Sequence, residues 1–265
     1  MFKKKIIIFL AALIFLALII SNALFLIKFD KINEKFLFLS KELANDGCDK
    51  SQLKISPDNL RLGYFIDLNC INKNNLSTDY ENHTSLRIVD LNKPVNREIY
   101  KGSYHTSYWE WLSDNEVIVY YGCGTECMAG FVIDANTGVR KAQLQYGVGY
   151  EWAPNKKMVL AYNYTAGYGI TIGNKENEIL FIIRRDPPNE YNDFVDKTKA
   201  LWSPDSSKLA LIIKKENSDE MEILVFEATN FGKIFQSNIK FAENTEFVWE
   251  NDNKIIYGNT EFLVE

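Results

Sequence analysis

The sequence is poor in the residues and motifs on which common enzyme mechanisms depend. Only two of its 265 residues are histidine, so general-base and metal-ion chemistry has few candidate groups. It contains neither the Gly-x-Ser-x-Gly element of serine hydrolases nor a glycine-rich phosphate loop or dinucleotide fingerprint. We therefore predict no catalytic residues, no metal ligands and no cofactor, and the sequence favours a protein that is not an enzyme.

The sequence also lacks an excess of positive charge. The formal net charge is −5, and the first 28 residues carry four lysines and no acidic residue, which leaves −9 on the remainder. Nucleic-acid binding depends on clustered lysine and arginine side chains that neutralise phosphates. An acidic domain of this kind predicts a well-solvated surface and no nucleic-acid partner.

One long apolar run is present, and it lies at the N-terminus. Residues 6–27 contain no charged side chain, and as a helix they would span about 33 Å, enough to cross a hydrocarbon core of roughly 30 Å. Lys3, Lys4 and Lys5 precede this run, which places the N-terminus in the cytoplasm. We predict a single-pass anchor over residues 1–28 in the cytoplasmic membrane, with the C-terminal domain periplasmic or extracellular.

The N-terminal region leaves two alternatives open. Ser21-Asn-Ala23 has the small-x-small pattern of a signal-peptidase site, although the apolar run continues beyond it and favours a retained anchor. Residues 29–47 predict a helical stalk with one apolar stripe, which either packs on the domain or supports weak self-association. The stripe consists of Phe29, Ile32, Phe36, Leu39 and Leu43.

The four cysteines are an even number in a compartment predicted to be oxidising. Cys123 and Cys127 follow the strand-like run 117–121, where a short disulfide can pin a loop. Cys48 then pairs with Cys70, although four cysteines allow three pairings. Free thiols and a zinc site are the alternatives, and zinc would need further ligands close by.

A repeated segment is the most informative feature of the remaining chain. Each copy has a tryptophan followed by a polar turn, and a weaker first copy has isoleucine in the tryptophan position. The intervals between copies, 41 to 56 residues, are typical of four-stranded propeller blades. The copies are Lys54–Asn59, Glu110–Asn115, Glu151–Lys156, Leu201–Ser206 and Val248–Asn253.

One copy carries a family resemblance. The segment Trp202-Ser-Pro-Asp-Ser-Ser-Lys-Leu-Ala210 resembles the WD40-like repeat of TolB-type propellers, which also occurs in the propeller domains of prolyl-oligopeptidase-like proteins. The other copies match more loosely, and together they cover about residues 50–265. This repeat occurs in binding modules, scaffolds and accessory domains of enzymes, so the resemblance implies an architecture and no particular activity.

We predict an all-β, β-propeller-like domain over residues 48–265, with five four-stranded blades that follow the transmembrane helix and the short helical stalk. The tryptophans are expected to pack between neighbouring blades, because a single blade cannot bury both of its faces. The last copy stops one strand short of four. A strand near residues 52–55 that completes it, a sixth copy within residues 60–101, and an open ring are alternatives that the sequence leaves open.

Loops that contain aromatic residues and arginine are the best candidates for binding. Aromatic rings with polar tips are favoured at interfaces, and long loops on a rigid scaffold often carry function. Such loops precede the second copy, lie within the third copy, and form the polar insertion 184–193. The candidate residues are Tyr104, His105, Tyr108, Tyr164, Tyr168, Arg184, Arg185 and Tyr191.

The sequence therefore favours a noncatalytic binding or scaffold module outside the cytoplasmic membrane, with a protein or cell-envelope partner. The alternative is a hydrolase that acts on envelope glycans or peptides through a pair of carboxylates. Glu110 and Glu151 are the candidates for that pair, because each precedes the tryptophan of its copy.

Overall fold

The structure is a computed structural model that describes most of the chain after residue 47. The predicted anchor at residues 6–27 and most of the predicted stalk lie outside the described residues. Within the described part, no helix is both long enough and apolar enough to cross a membrane. The described residues are 38, 41, 43, 48–70, 83–93, 95–103, 105–124, 127–147, 149–163, 169–184, 199–214, 220–240 and 245–264.

The chain divides into two compact units, residues 1–104 and residues 105–265. The first unit contains one antiparallel sheet with its strands in chain order. Its strands are β1 (Lys50–Ile55), β2 (Arg61–Asp67), β3 (Thr84–Asp90) and β4 (Val95–Gly102), and a 3₁₀ turn, Leu68–Cys70, follows β2.

The core of the first unit forms around β2, whose apolar run from Leu62 to Ile66 is buried throughout. Cys48, Tyr64, Ile66 and Val89 form one buried cluster. Phe38 and Leu43, two helical residues of the predicted stalk, pack against this cluster. The disulfide between Cys48 and Cys70 lies at the same place, so the segment before β1 is covalently joined to the end of β2.

The second unit contains three further four-stranded sheets and one three-stranded sheet, again antiparallel and in chain order. Its first sheet has β5 (Thr106–Ser113), β6 (Glu116–Gly124), β7 (Cys127–Asp134) and β8 (Arg140–Gly147). The next has β9 (Gly149–Trp152), β10 (Met158–Asn163), β11 (Gly169–Asn174) and β12 (Ile179–Arg184). The last two have β13 (Lys199–Trp202), β14 (Lys208–Lys214), β15 (Met221–Glu227) and β16 (Lys233–Ile239), then β17 (Phe247–Asn251), β18 (Lys254–Tyr257) and β19 (Thr260–Leu263).

The repeat predicted from sequence corresponds to these sheets one for one. The aligned residues at positions 58, 114, 155, 205 and 252 each lie in the turn between the first two strands of a sheet. Three of these turns share a left-handed residue directly after the aligned position, because the tight reversal needs a positive φ there. These residues are Asn59, Lys156 and Ser206, with φ between 57° and 66°.

Two of the open alternatives for the blade number are wrong. The strands described within residues 60–101 are β2, β3 and β4, and all three belong to the first sheet together with β1, so they form no sixth copy. Residues 52–55 belong to β1, which pairs with β2 and is not the missing strand of the last sheet. The last sheet has three strands among the described residues, as its sequence predicts.

The sheets of the second unit pack face to face in chain order, and each contact is a separate apolar cluster. Ile118 and Leu144 meet Trp152 and Val159 between the first and second of these sheets. Leu160 meets Leu209 in the next cluster, and further clustered residues join the last two sheets. Stacked four-stranded antiparallel sheets of this kind are the building units of β-propellers, so the propeller-like fold class is supported.

Candidate functional site

The two ends of the sheets in the second unit differ in their connections. Successive strands are antiparallel, so alternate connections lie at opposite ends of a sheet. At one end, which we call the tight-turn end, every connection has two to five residues, including the turns at positions 114, 155, 205 and 252. At the other, the long-loop end, the connections include the longest of the unit, residues 185–198 between β12 and β13.

Hydrogen bonds between sheets hold the tight-turn end together. The Asn155 backbone N–H donates to Ser206 Oγ at 3.0 Å, and the Asp205 N–H donates to Asp252 Oδ1 at 2.9 Å. Lys208 Nζ donates to the Asp252 carbonyl at 2.9 Å. These bonds align the turns of the last three sheets, and Lys175 Nζ, which donates to Glu116 Oε2 at 2.6 Å, joins the second sheet to the first. The long-loop ends of the four sheets therefore also lie on one side of the second unit.

Asp205 shows how strongly its turn is organised. Its carboxylate accepts hydrogen bonds from Ser203 Oγ at 2.7 Å and from the Ser207 N–H at 2.9 Å. Partial burial alone would raise the pKa of Asp205, but these hydrogen bonds outweigh it and hold the pKa at about 2. The carboxylate is therefore ionised throughout the physiological range and acts as a fixed acceptor within the turn.

The disulfide between Cys123 and Cys127 closes the hairpin of β6 and β7 at the long-loop end, with Cα atoms 5.0 Å apart. Both predicted disulfides are therefore confirmed, and the structure contains no free cysteine. The His105 carbonyl accepts a hydrogen bond from the Gly122 N–H at 3.0 Å, so exposed His105 lies directly beside this pinned hairpin.

The other binding candidates fall into two groups. Tyr108 is half-buried and stacks on Tyr120 with ring centroids 4.2 Å apart, and burial raises its pKa to about 12, so it packs within the fold. Arg184 is the last residue of β12, at the long-loop end. The remaining candidates lie outside the described residues. They are Tyr104, Tyr164, Tyr168, Arg185 and Tyr191.

The structure also contains a pair of residues that the sequence analysis did not single out as a unit. Tyr120 on β6 donates a hydrogen bond to Glu110 Oε1 on β5 at 2.9 Å. The other carboxylate oxygen of Glu110 accepts from Lys156 Nζ at 2.7 Å, and Trp152 Nε1 donates to the Tyr120 hydroxyl at 2.5 Å. A continuous chain of hydrogen bonds thus joins the first sheet of the second unit to the next.

The same two positions form a second pair in the next sheet. Tyr162 on β10 donates to Glu151 Oε1 on β9 at 3.2 Å. Here the following tryptophan, Trp202, donates to the Glu151 backbone carbonyl at 3.2 Å and does not reach the tyrosine hydroxyl. Among the residues that the structure describes, no cation pairs with the Glu151 carboxylate. We call these two arrangements the first and the second Tyr–Glu pair.

The surroundings of the two pairs shift pKa values in ways that follow from these contacts. Burial, and then the negative charge of Glu110, raise the pKa of Tyr120 far above its usual range, so its hydroxyl remains a donor. Crowding by protein atoms raises the pKa of Glu151, and the hydrogen bond from Tyr162 opposes this only in part. Glu151 retains substantial solvent exposure by surface area, so the electrostatic consequence for stability is small.

A sequence signal for these pairs exists in the spacing. The tyrosine follows its glutamate by ten residues in the first pair and by eleven in the second. In the two later sheets, Leu201 and Val248 take the glutamate position, so the pairs belong to two copies only. Within the described part of the chain, no group of three or more histidine, cysteine, aspartate or glutamate residues could hold a metal ion.

Comparison with solved structures finds chains that resemble this one in fold at low sequence identity. The chain is similar to a crystal structure described as a eukaryotic initiation factor, with 14% identity and a TM-score of 0.53 over 78% of this chain and 48% of that one. It also matches the β-propeller domain of the Trilobed protease from Pyrococcus furiosus, with 14% identity and a TM-score of 0.46 over 78% of this chain and 62% of that one. A third match is an acylaminoacyl peptidase from Pyrococcus horikoshii, with 12% identity and a TM-score of 0.45 over 79% and 35%.

These likenesses concern the fold alone, and the chain spans 48%, 62% and 35% of the three matched chains. No family model matches the sequence. No curated protein matches it either. The resemblance to the TolB-type repeat therefore stays a prediction from sequence.

Proposed function

We propose that this protein is a noncatalytic binding or scaffold module that engages its partner through the long-loop end of the second unit. This proposal rests on the difference in loop length between the two ends of the sheets. One end is closed by short turns and hydrogen bonds between sheets, whereas the other presents the longest connections on an aligned set of sheets. A rigid scaffold with variable loops at one end is a common arrangement for binding.

The residues at the long-loop end fit a protein or cell-envelope partner. The side chains predicted to contact it are histidine, tyrosine and arginine, which combine a flat apolar surface with a polar tip or a delocalised charge. Tyrosine and arginine are also enriched among the residues that contribute most to binding energy at interfaces. The disulfide-pinned hairpin of β6 and β7 supplies a fixed element beside His105.

We place this module outside the cytoplasmic membrane. Two disulfides support the location, because such bonds persist in oxidising compartments and are rare in the cytosol. The apolar run at residues 6–27, preceded by three lysines, supports a retained anchor with the same orientation. Protease added to cells with a permeabilised outer surface should digest the C-terminal domain and leave a short N-terminal fragment. A full-length chain that survives until the inner membrane is lysed would contradict this location.

Photo-crosslinking in intact cells tests the binding surface. A photoreactive amino acid at His105, exposed at the long-loop end, should give a discrete covalent adduct with the partner. The matched control is Asp114, which is also exposed, lies in the turn between β5 and β6 at the tight-turn end, and should give none. Adducts of equal yield at both positions, or at Asp114 alone, would refute the assignment of the long-loop end.

A second candidate function rests on the different environments of Glu110 and Glu151. Glycoside hydrolysis uses one carboxyl group with a raised pKa as the acid and a second carboxylate as its partner. Burial raises the pKa of Glu151, and Glu110 forms an ion pair with Lys156. Purified protein should then release sugars from envelope glycans, and Glu151→Gln should abolish this release. If the wild-type protein and this variant give the same trace release, the hydrolase is excluded.

A further inference from the structure

The outer strand of the second sheet of the second unit, β12, has an unusual surface. Ile179, Leu180 and Ile182 are 56%, 43% and 37% exposed, and no charged residue interrupts the run before Arg184. Their strand pairs with β11 on one side. Among the residues that the structure describes, no strand pairs with its other side.

The other outer strands carry charged or polar side chains, and charges usually protect a sheet edge. On β4, Glu98 forms an ion pair with Lys101. On β8, Lys141 bridges Glu116 and Asp134. On β16, exposed Lys233 and Asn238 flank the apolar positions, and on β19, Glu261 pairs with Lys254.

A β-bulge is a second protective device, but it does not distinguish these edges. The pairing of the third and fourth strands shifts register in every four-stranded sheet: once at Leu86/Arg87, Ile172/Gly173 and Val225/Phe226, and twice between β7 and β8, at Met128/Gly130 and Val132/Ile133. Every last strand of a four-stranded sheet therefore has at least one bulge, and β12 differs from its counterparts by its uncharged run Ile179–Ile183. After its bulge, β12 pairs regularly with β11 from Phe181 to Arg184.

The charges around β12 indicate what would pair with it. Glu176 and Glu178 lie in the turn just before the strand, and Arg184 ends it. A second copy of β12 that approaches in the antiparallel direction places the acidic end of each strand beside the basic end of the other. The sequence Glu-Ile-Leu-Phe-Ile-Ile-Arg over residues 178–184 is thus complementary to itself in both charge and apolar content.

We propose that two copies of this chain associate through β12, as antiparallel neighbours in one continuous sheet across a two-fold axis. A strand of six residues buries less surface than a stable dimer interface, so the pairing is weak and depends on concentration. This association is independent of the long-loop binding function and of the predicted stalk. It adds an interface on the side of the second unit.

Sedimentation of the full-length chain in detergent tests the proposal, and charge exchange gives the sharpest result. Glu178→Arg and Arg184→Glu should each weaken the dimer by about tenfold or more, because each brings like charges together at both ends of the paired strands. The double variant should restore the wild-type dissociation constant, since the opposite charges again face each other. Failure of the double variant to restore dimerisation would overturn the antiparallel pairing.

A lysine on the apolar surface provides a second test. Ile182→Lys should abolish the dimer, and the matched change Asn238→Lys, exposed on the outer strand β16 of the next sheet, should leave it intact. Unfolding midpoints in urea identify any variant that has lost its fold. A wild-type chain that stays monomeric at every accessible concentration would overturn the proposal. The same holds for a dimer that Ile182→Lys leaves unchanged, which would assign self-association to the stalk or to another surface.

Discussion

The two Tyr–Glu pairs occupy equivalent positions in neighbouring sheets, yet their surroundings make them different kinds of interaction. In the first pair, Tyr120 is fully buried, and its hydroxyl links Trp152 to Glu110. In the second pair, Glu151 is more exposed than Glu110 is in the first, and Trp202 donates to the Glu151 backbone carbonyl and not to the tyrosine. The same two residue types therefore join two sheets in one copy, whereas in the next they form a hydrogen-bonded pair whose carboxyl group has a raised pKa.

The difference arises from one neighbour in each case. Lys156 lies in the turn between β9 and β10, where its left-handed conformation is part of the repeat, and its ammonium group reaches back to Glu110. In the following copy, Ser206 occupies the matching turn position, and its hydroxyl accepts from the Asn155 N–H instead of meeting Glu151. A single turn residue thus determines whether the glutamate of the preceding sheet is neutralised.

The largest expected effect comes from the tryptophans that follow the two pairs. Trp152→Ala should lower the free energy of unfolding by about 3–5 kcal/mol, because it opens a cavity and leaves the Tyr120 hydroxyl without its indole donor. Trp202→Ala should cost less, since Trp202 is only half-buried and donates to a backbone carbonyl. Urea unfolding of both variants measures the difference. Equal losses would show that the hydroxyl link adds nothing to the first pair.

A smaller effect should follow from removal of the tyrosine hydroxyls. Tyr120→Phe leaves the Trp152 indole N–H buried without its acceptor, and we expect a loss of about 1–3 kcal/mol in unfolding free energy. Tyr162→Phe removes a longer hydrogen bond at a more exposed site and should cost less than about 1 kcal/mol. The two variants remove the same hydroxyl group, so the ratio of their losses in unfolding free energy reports the effect of the surroundings of each tyrosine. A greater loss for Tyr162→Phe would reverse the comparison.

The sequence predicts the architecture better than it predicts these pairs. The tryptophan-and-turn repeat predicts every first turn of the five sheets, because Pro-Asp and Asp-Asn turns are determined locally. The pairing of Cys48 with Cys70 is also predicted, but only as one of three connectivities. The partner of Glu110 is harder to find, since Lys156 lies 46 residues away and meets it only when two sheets pack.

The binding candidates also show that contacts which depend on packing are hard to predict from sequence. Tyr108 looks like a loop residue in sequence, yet it lies in β5 and stacks on Tyr120, because strand boundaries near aromatic clusters depend on packing across the sheet. His105, three residues earlier, is exposed at the start of the same sheet. The alternation of side chains along a strand explains the stacking of Tyr108 on Tyr120 only after the register of β5 with β6 is known.

The smallest expected effects come from the two glutamates, whose replacement should change the unfolding free energy in opposite directions. Glu110→Gln should lower the unfolding free energy at neutral pH by about 1 kcal/mol, because it removes the ion pair with Lys156 in a partly buried site. Glu151→Gln should raise it slightly at the same pH. The amide keeps an acceptor for Tyr162 and removes a carboxylate whose ionised form is disfavoured by its surroundings.

The pH dependence of the second variant makes this test specific. The folded-state pKa of Glu151 is raised above its usual value of 4.5, so the protonated group stabilises the fold below that value, and this stability is lost as the pH rises through the folded pKa. The advantage of Glu151→Gln over the wild type should therefore be present at pH 7 and disappear below about pH 4. Unfolding midpoints across this range give the curve. An advantage that is constant with pH would mean that shape, and not charge, distinguishes Glu151 from Glu110.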